Sequence, residues 1–221
     1  LVTGGLGMLG RTLVRRLAGQ DVRVADLPEV DITDPAAVAA LIGGFRPAVV
    51  IHCAAMTAVD ACEAAVDQAL RVNGVGSANV AIASHRAAAR LIAISTDYVF
   101  GGDLDRPYHE WDATGPRTAY GLSKLRGEQA VRAHCPDHCV VRVGWLYGPG
   151  GPSFVHTMLR LGAAGGEPLR VVDDQVGSPT STDAVADRLL DLLASPVVGT
   201  FHLTCEGEGT WFAFAREIFA Q

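Results

Sequence analysis

Apolar residues fall along this chain in two alternating textures. Residues 48–53 (Ala-Val-Val-Ile-His-Cys) and 139–144 (Cys-Val-Val-Arg-Val-Gly) are short, nearly continuous apolar and β-branched runs. That is the pattern of strands buried on both faces. Residues 2–3, 22–26 and 91–95 read as further strands of this kind. Between them lie longer stretches with helical spacing. Residues 11–18 are amphipathic, and residues 35–43 follow Asp34 as N-cap and Pro35 as first helical position. Residues 59–85 are alanine-rich and interrupted near Asn73-Gly74, and 120–134 run without proline until Pro136. Strand alternating with helix over residues 1–145 predicts an α/β fold, a Rossmann-type doubly wound parallel sheet. After Trp145 the texture changes, because Gly148, Gly150, Gly151 and Pro152 break the chain. The pattern there predicts helices over 154–161, 183–193 and 210–220, and short strands over 169–172 and 200–203. Residues 146–221 are therefore expected to form a small lobe interleaved with the sheet edge.

Composition narrows the class. The chain has 221 residues, 49% hydrophobic, with a formal net charge of −6. The acidic balance and scattered arginines argue against a nucleic-acid surface. No apolar run approaches the ~20 residues that span a bilayer, so no membrane partner is expected. Five cysteines, an odd number, do not form a disulfide framework, and the expected location is the cytoplasm. The chain begins at Leu1 rather than methionine and is expected to start inside its first strand.

Three stretches carry candidate chemistry. Glycines at 4, 5, 7 and 10 lie between a strand end and a helix start. Such a turn lets backbone N–H groups approach a pyrophosphate, and the helix points its positive end at the same anion. Asp26, 22 residues after Gly4, falls where a carboxylate meets the adenosine ribose hydroxyls, which favours NAD. Tyr120 and Lys124 lie one turn apart on a helix face. Lys124 is also the only lysine among 18 basic residues. A neighbouring ammonium stabilises a phenolate, and moving a phenol from ~10 to ~7 takes ~4 kcal/mol. A phenol tuned in this way would serve as acid or base near neutral pH. Thr96, at the carboxyl end of strand 91–95, supplies a third polar group.

The stretch from Thr3 to Gly10, together with Tyr120-Gly-Leu-Ser-Lys124, resembles the extended short-chain dehydrogenase/reductases. Residues 46–60, 95–100, 120–128, 142–147, 173–180, 199–203 and Thr210-Trp211 narrow the resemblance to the dTDP-4-dehydrorhamnose reductases. It covers nearly the whole chain, although that family continues past residue 221. The resemblance implies reduction of the C4 keto group of a nucleotide-linked 4-keto-6-deoxysugar by NADPH or NADH, in a monomer or homodimer. It implies Tyr120 as proton donor, Lys124 as its partner and Thr96 as the hydroxyl that tunes it. Thr96, Asp97 and Trp145 would touch the sugar. Gly4, Gly7, Met8, Leu9, Gly10, Asp26, Asp31, Ile32, Ala55, Met56, Thr57, Tyr120 and Lys124 would touch the cofactor. Residues 1–145 would then be the NAD(P)-binding domain and 146–221 part of a sugar-nucleotide lobe. Related dehydratases place a carboxylate after the Thr-Asp pair, whereas here that position is Tyr98, which favours reduction. Two other readings stay open: a reductase of another 4-keto-6-deoxysugar, and a non-catalytic NADP-binding regulatory subunit of the same fold.

The remaining reactive residues read as structural. His134-Cys135-Pro136-Asp137-His138-Cys139 is a helix end turning into a strand, and consecutive ligands rarely suit a tetrahedral metal. No metal site is expected. Cys53, Cys62 and His52 read as packed side chains, as do Trp111 and Trp211.

Overall fold

The computed structural model describes residues 1–221. Six parallel strands form one sheet: β1 (Val2–Thr3), β2 (Val24–Ala25), β3 (Val49–His52), β4 (Arg90–Thr96), β5 (His138–Val143) and, after the lobe begins, β9 (Gly199–His202). Their spatial order is β2-β1-β3-β4-β5-β9. The order reverses between β1 and β3, and open α/β sheets bind ligands at the carboxyl ends flanking such a switch point.

Alternation along each strand builds two cores. Val50, Leu91, Ala93 and Val140 face a layer containing Val38, Ile42, Val80 and Val131. These come from α2 (Pro35–Phe45), α5 (Ser77–Arg86) and α6 (Ala119–His134). Ile51, Ile92, Cys139 and Val141 face Leu9, Leu13, Val185 and Leu189, from α1 (Met8–Arg16) and α8 (Thr182–Ala194). The outer helices start where side chains cap them. Asp34 accepts from Ala36 N and Ala37 N, and Thr118 accepts from Gly121 N.

The interrupted stretch after β3 becomes α3 (Val59–Ala64), α4 (Val66–Ala69) and a π-helical turn, Leu70–Gly76, running into α5. Beyond β5 come β6 (Leu146–Tyr147), α7 (Phe154–Ala164), β7 (Val176–Gly177), β8 (Thr180–Ser181), β10 (Gly209–Thr210) and α9 (Trp211–Ala220). The segment after residue 145 is woven into the sheet layer: α8 packs on α1, and β9 extends the sheet beside β5.

Two sequence expectations change. No strand forms over 169–172, where Leu169 and Val172 are exposed. A strand needs a partner edge, and in this lobe β7 and β10 pair with each other instead. The strand expected over 22–26 shortens to Val24–Ala25, because its neighbour β1 offers only Val2 and Thr3 for pairing.

Candidate active site

The glycine-rich turn leaves β1 with Gly4 at φ 67°. A Cβ there would stand 2.5 Å from Ala54 N, and one at Gly10 would stand 2.2 Å from Gly4 O. These two glycines let the turn fold tightly against the end of β3 and let α1 start against the turn. Gly7 is the N-cap of α1 and gives it no side-chain cap. Longer helices that begin from extended backbone elsewhere carry one: Asp34, Thr118, Ser153, Ser181 and Thr210. The N–H groups of Met8, Leu9 and Gly10 are thus free for an anion, and the chain fits a dinucleotide pyrophosphate there.

The other expected cofactor residues divide. Asp26 stands at the end of β2, and its carboxylate accepts from Leu6 N (2.9 Å) and Leu27 N (2.8 Å). That ties the Asp26 carboxylate to the glycine-rich turn. Asp31 accepts from Thr33 N at 2.8 Å, and this bond holds its carboxyl below the usual range. Ile32 is buried against Gly76, where a Cβ would stand 2.6 Å from its Cδ1. The Asp31 and Ile32 side chains are therefore committed to the fold, and their carbonyls accept from Asp34 N (3.0 Å) and Asn79 Nδ2 (2.9 Å). Ala55, Met56 and Thr57 follow β3 directly, beside the turn.

Thr96 ends β4 and is buried. Its Oγ1 donates to Asp97 Oδ1 (3.0 Å) and accepts from Tyr98 N (3.2 Å). Asp97 packs over Gly144, where a Cβ would stand 2.8 Å from Oδ2. Tyr120 lies in the first turn of α6, with its ring edge-on to Tyr98 at 5.4 Å. The close seat depends on Gly121, since a Cβ there would meet Tyr98 O at 2.2 Å. Burial pushes the Tyr120 phenol above its ordinary pKa, and the adjacent Thr96 hydroxyl opposes the rise. Lys124 does not act on the phenol in this arrangement. Its long side chain passes into the sheet layer, and Nζ donates to Ile94 O at 2.7 Å. Burial lowers Lys124 to about 8, against a pull upward from Glu128. The structure therefore brings Thr96, Asp97 and Tyr120 together and sets Lys124 behind them. Of the two groups expected to tune the phenol, Thr96 is the one that opposes its rise.

Trp145 follows Gly144 with φ 45°. Its indole stacks on Trp211 at 3.5 Å and lies against Gly177. The ring begins an aromatic cluster with Phe154 and Phe214. Trp211 is thus part of the wall that holds Trp145.

Sequence reading missed three supports. Asn73, in the π-helical turn, clamps Met56 by accepting from its N–H (2.8 Å) and donating to its carbonyl (2.9 Å). It also donates to Ser123 Oγ (2.8 Å), which donates to Tyr120 O (2.7 Å). This chain joins the segment after β3 to the Tyr120 helix, and the break near Asn73-Gly74 was its only sequence signal. Asn73→Ala strands both Met56 backbone groups, so we expect it to lower unfolding free energy by ~2 kcal/mol in denaturant titration. A change below ~0.5 kcal/mol would mean the clamp carries no load. Glu63 accepts from Ala119 N (2.7 Å) at the start of α6. Glu128, one turn beyond Lys124, binds Arg142 through Nε and Nη2, both at 2.8 Å, and accepts from Ser95 Oγ at 2.6 Å.

Of the residues set aside as structural, His52 and Cys62 are buried, whereas Trp111 is 78% exposed and stacks on His109. His52 Nδ1 lies 2.7 Å from Thr3 Oγ1 and Nε2 lies 3.0 Å from Ser77 Oγ. Ser77 spends its own proton on Asn73 O, so His52 carries its hydrogen on Nε2 and accepts from Thr3. Burial keeps it neutral, with a pKa of about 3. Burial likewise holds the Cys53 thiol up, to about 12. A concavity of about 330 Å³ between α7 and α9 is lined by Leu161, Leu169, Phe212 and Phe219 and holds none of the candidate catalytic side chains.

The sequence profile of the RmlD substrate binding domain matches residues 1–221. The chain belongs to this family. It is 48% identical over 227 aligned residues to a Streptomyces griseus dTDP-4-dehydrorhamnose reductase, covering 99% of this chain and 74% of that one. It is 45% identical to a probable dTDP-4,6-dihydroxy-2-methyloxan-3-one 4-ketoreductase of Streptomyces antibioticus, over 99% of this chain and 75% of that one. Among solved structures of the RmlD family, the Bacillus anthracis dTDP-4-dehydrorhamnose reductase in complex with NADP superposes with a TM-score of 0.96. It is 40% identical, with 99% of this chain and 78% of that one covered.

Proposed function

We propose that this RmlD-family chain reduces the C4 keto group of dTDP-4-dehydrorhamnose to give dTDP-L-rhamnose, with NADPH or NADH as reductant. One observation carries the assignment of roles. Tyr120, edge-on to Tyr98, sits beside Thr96 at the carboxyl end of β4, on the same sheet edge as the uncapped start of α1. In this reading residues 1–145 hold the cofactor and the acid, and residues 146–221 contribute to the sugar-nucleotide side. The protein works as a monomer or homodimer in the cytoplasm, and no helix is long and apolar enough to cross a membrane.

The bound nicotinamide would supply hydride, and the rest falls to the chain. Tyr120 gives its hydroxyl proton to the C4 oxygen as negative charge develops there. A phenol raised by burial is fully protonated at neutral pH, the form a reduction requires, and the developing alkoxide is more basic still. Thr96 turns its single hydroxyl proton from Asp97 Oδ1 to the same oxygen and orients it. Lys124 has three N–H donors and uses one on Ile94 O. The other two are available to a ribose hydroxyl. Before substrate arrives Asp97 holds the Thr96 hydroxyl, and Trp145, braced by Trp211, lines the sugar side.

The role of Lys124 has a pH signature. The ammonium is present below about 8 and lost above it, and kcat/KM reports the free enzyme. We expect kcat/KM to fall as pH rises through about 8. A profile flat through that window would remove the charge of Lys124 from the account.

The substrate is tested by cofactor oxidation on the full-length protein with a panel of nucleotide-linked 4-keto-6-deoxysugars. The Streptomyces antibioticus relative is named for a different 4-keto sugar at 45% identity, so that sugar belongs in the panel. The account predicts fastest turnover with dTDP-4-dehydrorhamnose. Faster turnover of another sugar would move the assignment within the family, and dinucleotide binding without turnover of any would indicate a regulatory subunit.

A further inference from the structure

Lys124 holds its charge inside the layer between α6 and the sheet. It is 7% exposed, and the one hydrogen bond of Nζ goes to a neutral carbonyl, Ile94 O. A buried lysine without a counter-charge loses its proton readily. Glu128 lies four residues further along α6 and is 3% exposed. That spacing places both side chains on one helix face. Both line the same small internal space of about 10 Å³, together with His52, Ser77 and Ser95.

The Glu128 carboxylate is fixed there from three elements. Arg142 on β5 donates to both of its oxygens at 2.8 Å, and Ser95 on β4 donates to Oε1 at 2.6 Å. Arg132 on α6 reaches Oε2 at 3.1 Å. The other titratable groups around the space carry no charge at neutral pH. Burial keeps His52 on β3 neutral, at about 3, and Cys53 just after β3 a thiol, at about 12. His202 on β9, with Nε2 3.4 Å from Arg142 Nη1, is lowered by burial, and the Tyr120 phenol is raised by it. Glu128 is thus the ionised carboxylate beside Lys124, and it opposes the fall that burial imposes on the ammonium.

We propose that Glu128 is the counter-charge that keeps Lys124 an ammonium, a positioning residue for the reduction that acts through Lys124. Its bearing on turnover rests on the role of Lys124 under the proposed function, whereas the charge itself is read without turnover. Lys124 is the only lysine of residues 1–221. Lysine labelled with carbon-13 at Cε therefore reports it by NMR in the full-length protein, its line being the one missing from Lys124→Arg. Wild type should titrate at about 8. Glu128→Gln keeps the volume and an oxygen for Arg142 but removes the charge, and Lys124 should then titrate ~1 unit or more lower. The fall of kcat/KM with rising pH should move by the same amount. Loss of packing gives the opposite sign, because water that reaches Lys124 returns it towards its ordinary value of 10.5. An unchanged or raised Lys124 titration therefore overturns the proposal. If Glu128→Gln does not fold, Glu128→Gln/Arg142→Met leaves no buried guanidinium unpaired and is read in the same way. A downward shift in a protein that turns over no keto sugar would support the counter-charge and refute the proposed function alone.

Discussion

Tyr120→Phe should lower kcat by ~100- to 10,000-fold, the range for removing a positioned general acid. NADPH binding should be nearly unchanged, because the substitution deletes one hydroxyl from a ring whose seat is set by Tyr98 and Gly121. In the proposed mechanism the phenol is the proton donor, and phenylalanine keeps the ring and its packing against Tyr98. Steady-state kinetics with a separate cofactor titration checks both halves. A variant within threefold of wild type in kcat would give the proton to another group.

Glu128→Ala is expected to cost ~3–5 kcal/mol of stability, the usual result of leaving a buried ion without its partner. Glu128 is buried in the α6–sheet layer, and Arg142 beside it on β5 is 4% exposed. Burial raises the carboxyl, but the bonds from Arg142 and Ser95 outweigh it and bring the pKa below its ordinary value of 4.5. The sign follows: the pair stabilises the fold above 4.5, and its contribution is lost as pH falls through the lower, folded value. Replacing both partners by methionine should cost less, since no buried guanidinium is left unpaired, although Lys124 and Arg132 also lose the Glu128 charge. Denaturant unfolding measures each. A loss under ~1 kcal/mol for Glu128→Ala would mean that water reaches Arg142.

The contrast between these residues shows what a sequence exposes. Tyr120 and Lys124 stood out because helical spacing is local and because a lone lysine is conspicuous. The glycine turn stood out for the same reason, since its strain is written in adjacent residues. The parallel sheet followed from β-branched runs such as 48–53. By contrast, Arg142 in the middle of an apolar strand announced that it needed a partner, but nothing local said that Glu128 was that partner. The Asn73 clamp joins Met56, Ser123 and Tyr120, contacts that exist only after folding. The reach of Lys124 to Ile94 O is another such contact. The strand expected over 169–172 failed because strand formation depends on a free edge, which its own residues do not record.

The most direct measurement of the central claim is transfer of label from NADPH deuterated at the nicotinamide C4 to dTDP-4-dehydrorhamnose, read by NMR of the sugar. The account predicts dTDP-L-rhamnose with deuterium at C4 of the sugar in wild type, and almost none formed by Tyr120→Phe in the same time. Cofactor oxidation without deuterium at C4, or an unlabelled product, would contradict it.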